Sequence, residues 1–294
     1  MNFQKLILII LFSFLFNSIL SAGSFQDLVL VDGFSKGFAI TADRSSIDGV
    51  IKNPANLISV KKYMMTSSYS SFFNNQYQTY LLGAGITFNQ YQLGLSIPVR
   101  QISSISETVN VLDRGVQVGN FKDTDMAVKL SVGRMFYDNQ MSLASSLGYY
   151  THSIGSDKAT GLGLDIGILG SVSGFDLGAS IQRLGNVTMK WTTNQNESIP
   201  MALNLGLGKK FMDTVHLLSD VSFEKNMSSQ LNLGFSWSIK SLCNINIGCR
   251  DLLNMKRLSI GLDVSLSTMK IQYAFSQHPQ LGAIQKMGVV INSF

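Results

Sequence analysis

The chain has 294 residues and a formal net charge of +5, and only 14% of its residues are Asp, Glu, Lys or Arg, well below the roughly 25% of soluble domains. Three Glu (Glu107, Glu197, Glu224) and three His (His152, His216, His278) are thin material for acid–base catalysis. The positive charges are spread along the chain rather than clustered, which argues against a nucleic-acid partner and suits contact with anionic lipid headgroups.

The chain opens with "MNFQKLILIILFSFLFNSILSAGS": Lys5, an apolar run from Leu6 to Phe16, then Ser21-Ala22-Gly23. This is the charged start, apolar middle and small-residue exit of a secretory signal peptide. The run is short of the about 20 apolar residues a membrane helix needs. Residues 1–23 are therefore expected to be a signal peptide. No Cys follows the run, so a lipoprotein anchor is not expected.

Residues 33–57 read "GFSKGFAITADRSSIDGVIKNPANL" and show no steady alternation. Their apolar anchors are Phe34, Phe38, Ile40, Val50 and Ile51. Pro54 limits helix growth and pushes Asn53 toward extended geometry in the Asn53-Pro54-Ala55 turn. An irregular backbone is tolerated at membrane depth only where protein encloses it. Residues 24–60 are thus expected to be a hatch inside the lumen of whatever follows.

From residue 61 the period is two. In "QLNLGFSWSI", Leu231, Leu233, Phe235, Trp237 and Ile239 oppose Gln230, Asn232, Gly234, Ser236 and Ser238. In "RLSIGLDVSL", Leu258, Ile260, Leu262, Val264 and Leu266 oppose Ser259, Gly261, Asp263 and Ser265. Successive strand side chains point to opposite faces, so each segment has one greasy and one small or polar face. Fourteen such segments are predicted, at 61–71, 77–88, 91–101, 125–136, 140–152, 158–171, 174–184, 199–210, 214–225, 228–239, 242–250, 257–267, 269–276 and 284–294. Most are longer than the usual strand and suit a tilted membrane crossing. Their charges (Arg100, Lys129, Asp165, Asp176, Asp220, Glu224, Asp263, Lys270) fall almost entirely on the small face. The even-numbered connections are tight, whereas the longest, 102–124 and 185–198, are the third and seventh. Short turns at one end and long loops at the other are the habit of outer-membrane barrels. The expected fold is all-β: a transmembrane antiparallel β-barrel of about 14 strands over residues 61–294, set in the bacterial outer membrane, with the hatch inside. Such a lumen is too wide for its own side chains to fill, and its inward face is rich in Gly.

No enzyme is expected. "YTHSIGSD" offers His152, Ser153 and Asp157, but adjacent strand residues point opposite ways, so base and nucleophile do not meet. No metal site or cofactor is expected either: the three His are isolated in sequence, and Cys243 and Cys249 share the predicted lipid face. Six residues apart on one strand, those two Cys lie about 20 Å apart, too far for a disulfide. Asp165, Asp220 and Asp263 are expected to be solvated lumen groups or partners of Lys129 and the hatch.

The hatch sequence, with its Asn-Pro-Ala and following Leu57, resembles the N-terminal signature of outer-membrane proteins related to the fatty-acid transporter FadL, and most closely the PorV/PorQ group. The ending "IQYAFSQHPQLGAIQKMGVVINSF" is similar to that group's ending, with Tyr273, Phe275, Leu281-Gly282, Lys286 and a last strand closing on Phe294. The resemblance covers about fifty residues at the two ends of the chain. It implies a plugged barrel serving type IX protein secretion or surface attachment. A secreted protein or secretion-machinery partner would then meet the outer loops, with Phe121 and Trp191 as the aromatic handles. The alternative is FadL-like uptake of a hydrophobic small molecule along the hatch and into the wall, which predicts an apolar pocket beside residues 34–51. Phe34, Phe38, Ile40, Lys129, Asp165, Asp220 and Asp263 are the candidate ligand and hatch contacts.

Overall fold

The computed structural model describes residue 28 and residues 30–292, apart from 112, 113, 213, 226, 241, 255 and 279. The expected signal peptide, the first residues of the expected hatch and Phe294 lie outside the described residues.

A short helix, α1 (Val31–Ser35), and two 3₁₀ turns, Ile47–Ile51 and Pro54–Ser59, precede the strands. The strands are β1 (Tyr63–Phe72), β2 (Tyr77–Phe88), β3 (Tyr91–Val111), β4 (Arg114–Phe136), β5 (Met141–Ile154), β6 (Asp157–Val172), β7 (Phe175–Gln182), β8 (Val187–Trp191), β9 (Asn196–Ile199), β10 (Ala202–Phe211), β11 (Val215–Glu224), β12 (Gln230–Ile239), β13 (Cys243–Arg250), β14 (Arg257–Leu266), β15 (Met269–His278) and β16 (Gly282–Asn292). Neighbours in sequence pair antiparallel, β1 pairs with β16, and β7 pairs with β10 across the β8–β9 hairpin. β5 also pairs with β6, so the fourteen strands other than β8 and β9 form a closed barrel with no free edge.

The wall follows the predicted alternation. Along β14, Leu258, Ile260, Leu262 and Val264 are exposed while Ser259, Gly261 and Asp263 are buried. The same apolar-out pattern runs through Leu82, Leu93, Leu130, Leu143, Leu162, Leu217 and Leu233. So much exposed apolar surface on a closed cylinder is a lipid-facing surface. Two outward cations interrupt it near the short-turn end. Arg134 lies over the rings of Tyr91 and Phe136, and Lys209 lies 3.9 Å from the centre of the Phe175 ring.

Two expectations need correction. Residues 102–124 are not a loop: β3 and β4 run for 21 and 23 residues and carry their hairpin well past the other strands. Residues 103–110 hide no regular apolar face, because both faces of this extension meet solvent, so the period of two fades there. Residues 185–198 hold the β8–β9 hairpin, which pairs with β6 at Ala159 and Thr160. Its Val187, Met189 and Ile199 pack on Ala127, Tyr150 and Ala159, on the inward side of the wall.

The molecule's apolar core lies between residues 30–60 and the wall. Leu30, Ile47, Val50, Ile51, Leu57 and Val60 pack with Met64, Leu81 and Val290 of β1, β2 and β16. Val31, Phe34, Phe38 and Ile40 pack with Phe72, Ala274 and Ile284. The inward glycines allow this approach. A Cβ at Gly178 would collide with the Thr41 carbonyl, and one at Gly248 with the Gly37 backbone.

Candidate functional site

The Asn53-Pro54-Ala55 turn is structural. Asn53 caps the second 3₁₀ turn, its Oδ1 accepting from Ala55 N at 3.0 Å, and Pro54 takes the first position, where no N–H is needed. The Asn53 amide donates to Thr41 O at 2.9 Å and to Ile168 O of β6 at 3.2 Å. Gly167 makes room for it.

Asp220 of β11 is fully buried and is the main polar anchor of the segment. Its Oδ2 accepts from Ile40 N (3.0 Å), Thr41 N (2.9 Å), Thr41 Oγ1 (2.6 Å) and Lys52 Nζ (2.9 Å). Ser180 and Gln182 of β7 donate to the carbonyls of Lys52 and Ile51, each at 2.7 Å. Asp263 of β14 accepts from Asn246 and Gln272, and Asn246 also donates to Asp32 of the segment. Toward the short-turn end, Lys36 bridges Asp32 and Asp43 at 2.8 Å each. Burial lowers the Lys36 pKa, but the two carboxylates outweigh it and hold the ammonium above its ordinary value. Burial likewise opposes the charge on Asp43, yet Lys36 and His216 hold its carboxyl below the usual range.

A cavity of about 90 Å³ occupies the long-loop half of the lumen. Its floor is Leu28, Phe38, Ile51 and Lys52, and its walls include Pro98, Ala127 and Tyr150. The cations around it are already engaged. Lys129 pairs with Asp165 at 2.7 Å, Arg183 with Glu224 at 3.4 Å and Lys52 with Asp220, while Arg250 lies 4.0 Å from the centre of the Phe38 ring. Phe34 meets Phe38 edge-on at 6.1 Å. An occupant therefore meets rings and aliphatic groups beside the amides of Gln182, Asn204, Gln230 and Asn232, with Lys129, Arg183 and Lys52 paired to carboxylates.

Beside the cavity the wall is thinner in hydrogen bonds. The β3–β4 ladder runs through Ser96↔Lys129 and resumes at Val99↔Met126 without a change of register. The skipped rungs are those of Ile97 and Pro98, and Pro98 has no N–H to give. On the outer surface an apolar groove of about 360 Å³ runs across β16, β1, β2 and β3, lined by Leu82, Leu95, Ile97, Val289 and Ile291, and reaches the skipped rungs at Ile97.

Phe121 sits in the projecting part of β4, opposite Ile105. Trp191 closes β8 against the cluster of Leu28 and Tyr150, its ring 5.1 Å from that of His152. The expectation of isolated histidines fails. His152 lies beside Asp123 and Asp125, and His216 is 3.9 Å from Asp43. The sequence signal was the Asp123-x-Asp125 spacing, which puts both carboxylates on the face that β5 turns inward; reading 102–124 as a loop hid it.

No family profile and no curated protein sequence matches the chain. Solved structures do match in fold. The "CymD monoaromatic hydrocarbon channel" superposes with a TM-score of 0.69 at 11% identity, over 90% of this chain and 97% of that one. The Pseudomonas putida toluene transporter TodX gives 0.64 at 10% identity over 89% and 96%. A Pseudomonas aeruginosa FadL homologue gives 0.63 at 10% identity over 90% and 98%. At these identities the likeness is one of fold, and the chain has the FadL-like barrel fold.

Proposed function

We propose that this protein is an outer-membrane channel for passive uptake of a neutral hydrophobic small molecule, with residues 24–60 as its hatch. The carrying observation is the adjacency of three features: the cavity above the segment, the missing rungs at Ile97 and Pro98, and the outer apolar groove that begins at Ile97. A molecule entering from the long-loop end meets the segment as a floor and the skipped rungs between β3 and β4 at its side. The solved channels of the same fold whose names mention monoaromatic hydrocarbons and toluene support this reading. The pairing of Lys129, Lys52 and Arg183 with carboxylates favours a neutral permeant over a carboxylate, since an anion would compete with Asp165, Asp220 and Glu224 for them.

The export role implied by the PorV/PorQ resemblance draws no support from the site. Trp191, the handle expected to face a partner, is turned onto His152.

The test is uptake of radiolabelled toluene and of a labelled long-chain fatty acid by cells with and without the protein, beside a variant with Pro98→Cys and Ala127→Cys oxidised to join β3 and β4. Faster toluene uptake that the cross-link abolishes and a reductant restores is expected, with little effect on the fatty acid. Equal toluene uptake with and without the protein rejects the proposal. Stoichiometric recovery of secreted proteins with the barrel would then return the export role.

A further inference from the structure

We infer that the long-loop mouth carries a binding site for a divalent first-row transition-metal ion, formed by Asp123, Asp125 and His152. The site stands apart from the transport proposal and does not depend on it.

The ladder between β4 and β5 sets Asp125 opposite His152, and Asp123 lies two residues along β4 on the same face. One ligand atom from each residue can be chosen so that all three lie within 4.8 Å of one another. Among the described residues this is the grouping of His, Cys, Asp and Glu that meets that spacing. His152 Nε2 is 2.9 Å from Asp123 Oδ1, and His152 Nδ1 is 3.6 Å from Asp125 Oδ1.

A second observation separates the cluster from an ordinary ion-pair network. Asp125 has no solvent exposure, and its Oδ1, aimed at the His152 ring, accepts no hydrogen bond. A buried carboxylate oxygen without a donor is costly, and a cation between it and the imidazole supplies what is missing. One imidazole and two carboxylates are a borderline N/O donor set suited to Zn²⁺, Ni²⁺ or Cu²⁺. Three protein ligands leave a coordination position open toward the lumen.

Arg100 is the competing cation. Its guanidinium contacts Asp125 Oδ2 and lies 3.6 Å from Asp123 Oδ2. A metal ion must displace it from at least one carboxylate, so Arg100 sets the affinity and its removal strengthens binding. A purely structural network predicts the reverse: without Arg100 the two acids repel each other and the cluster loosens.

Trp191 is the built-in reporter, 5.1 Å from His152 ring to ring. The full-length protein in detergent, with Trp237→Phe to leave one Trp, would be titrated with Ni²⁺ at pH 7.5 and followed by fluorescence. Saturable quenching at one ion per chain, reversed by Zn²⁺, is expected. It should vanish in His152→Ala and in the near-isosteric Asp123→Asn, and tighten roughly tenfold in Arg100→Gln, the loss of about 1.4 kcal/mol of competition. Retained heat-modifiable migration on gels would show that the variants are folded barrels. Absence of saturable quenching up to millimolar Ni²⁺, quenching unchanged in folded His152→Ala, or weaker binding in Arg100→Gln each overturns the inference.

Discussion

Asp48, in the first 3₁₀ turn, is a carboxyl without solvent exposure whose Oδ2 accepts from Gly33 N at 2.8 Å. Burial raises its pKa, Asp32 adds to the rise, and together they push it up to about 8, against a partial lowering by the Gly33 N–H and Lys36. Asp263 also faces it from β14 and opposes its charge. The folded state therefore holds a proton that the unfolded segment releases near the ordinary carboxylate range. By linkage, this group's stabilising contribution is full below that range and is lost as pH rises through about 8. Lys36 is held above its ordinary value and Asp43 below its own, so neither titrates in that window. Protection of the Gly33 amide, corrected for intrinsic exchange, should fall between pH 6 and pH 9 in the native chain. In Asp48→Asn, which keeps an oxygen for Gly33 and carries no charge, protection should stay level. A fall of the same size in the variant would show that another group titrates. Nothing in the sequence marks Asp48 out, since it is one of two acids in "DRSSIDG" and only the packed lumen makes it neutral.

The segment formed by residues 30–60 has little regular structure of its own, so its order depends on the wall. Asp220 concentrates that dependence, holding two backbone amides, one hydroxyl and one ammonium on a single oxygen. Asp220→Ala leaves Lys52 buried beside no acid, which costs about 3–5 kcal/mol. The double variant Asp220→Ala with Lys52→Met removes the stranded charge and should recover part of that loss. Proteolysis of residues 36–46 in folded barrels is the measurement: fast in the single variant, slower in the double, slowest in the native chain. Equal rates in all three would mean the apolar clusters alone seat the segment. The strands were legible because each buries one face and shows the other to lipid, a pattern with no other simple cause. Residues 103–110 escaped because an extension wet on both faces has no such pattern. Residues 187–198 escaped because their apolar residues are few and followed by "WTTNQNES", which reads as a loop until Tyr150 and Ala159 are there to receive them.

At the scale of the whole molecule, the inward glycines and the segment are two halves of one design. Strands lined with bulky residues would narrow the bore, whereas this wall leaves a bore too wide for its own side chains, and residues 30–60 pack against its inward face. The sequence showed the thin wall and the irregular segment separately. It could not show which glycine meets which backbone atom, because that depends on how the strands stagger around the barrel. Gly178 and Gly248 test the fit, since they stand on β7 and β13 and each faces segment backbone rather than a movable side chain. Valine at either site would push Thr41 or Gly37 inward, and valine at both removes two supports at once. Valine is a good strand residue, so the wall should still close. If the segment is the proposed hatch, the native protein should pass almost no ionic current in planar lipid bilayers, because residues 30–60 are held to the inward face of the wall through Asp220, Ser180 and Gln182. Gly178→Val with Gly248→Val should show discrete conductance steps in folded, heat-modifiable barrels. A silent double variant would mean the segment can shift along the lumen and still seal it, and the glycines would then serve the approach of the chain during folding rather than the closed state.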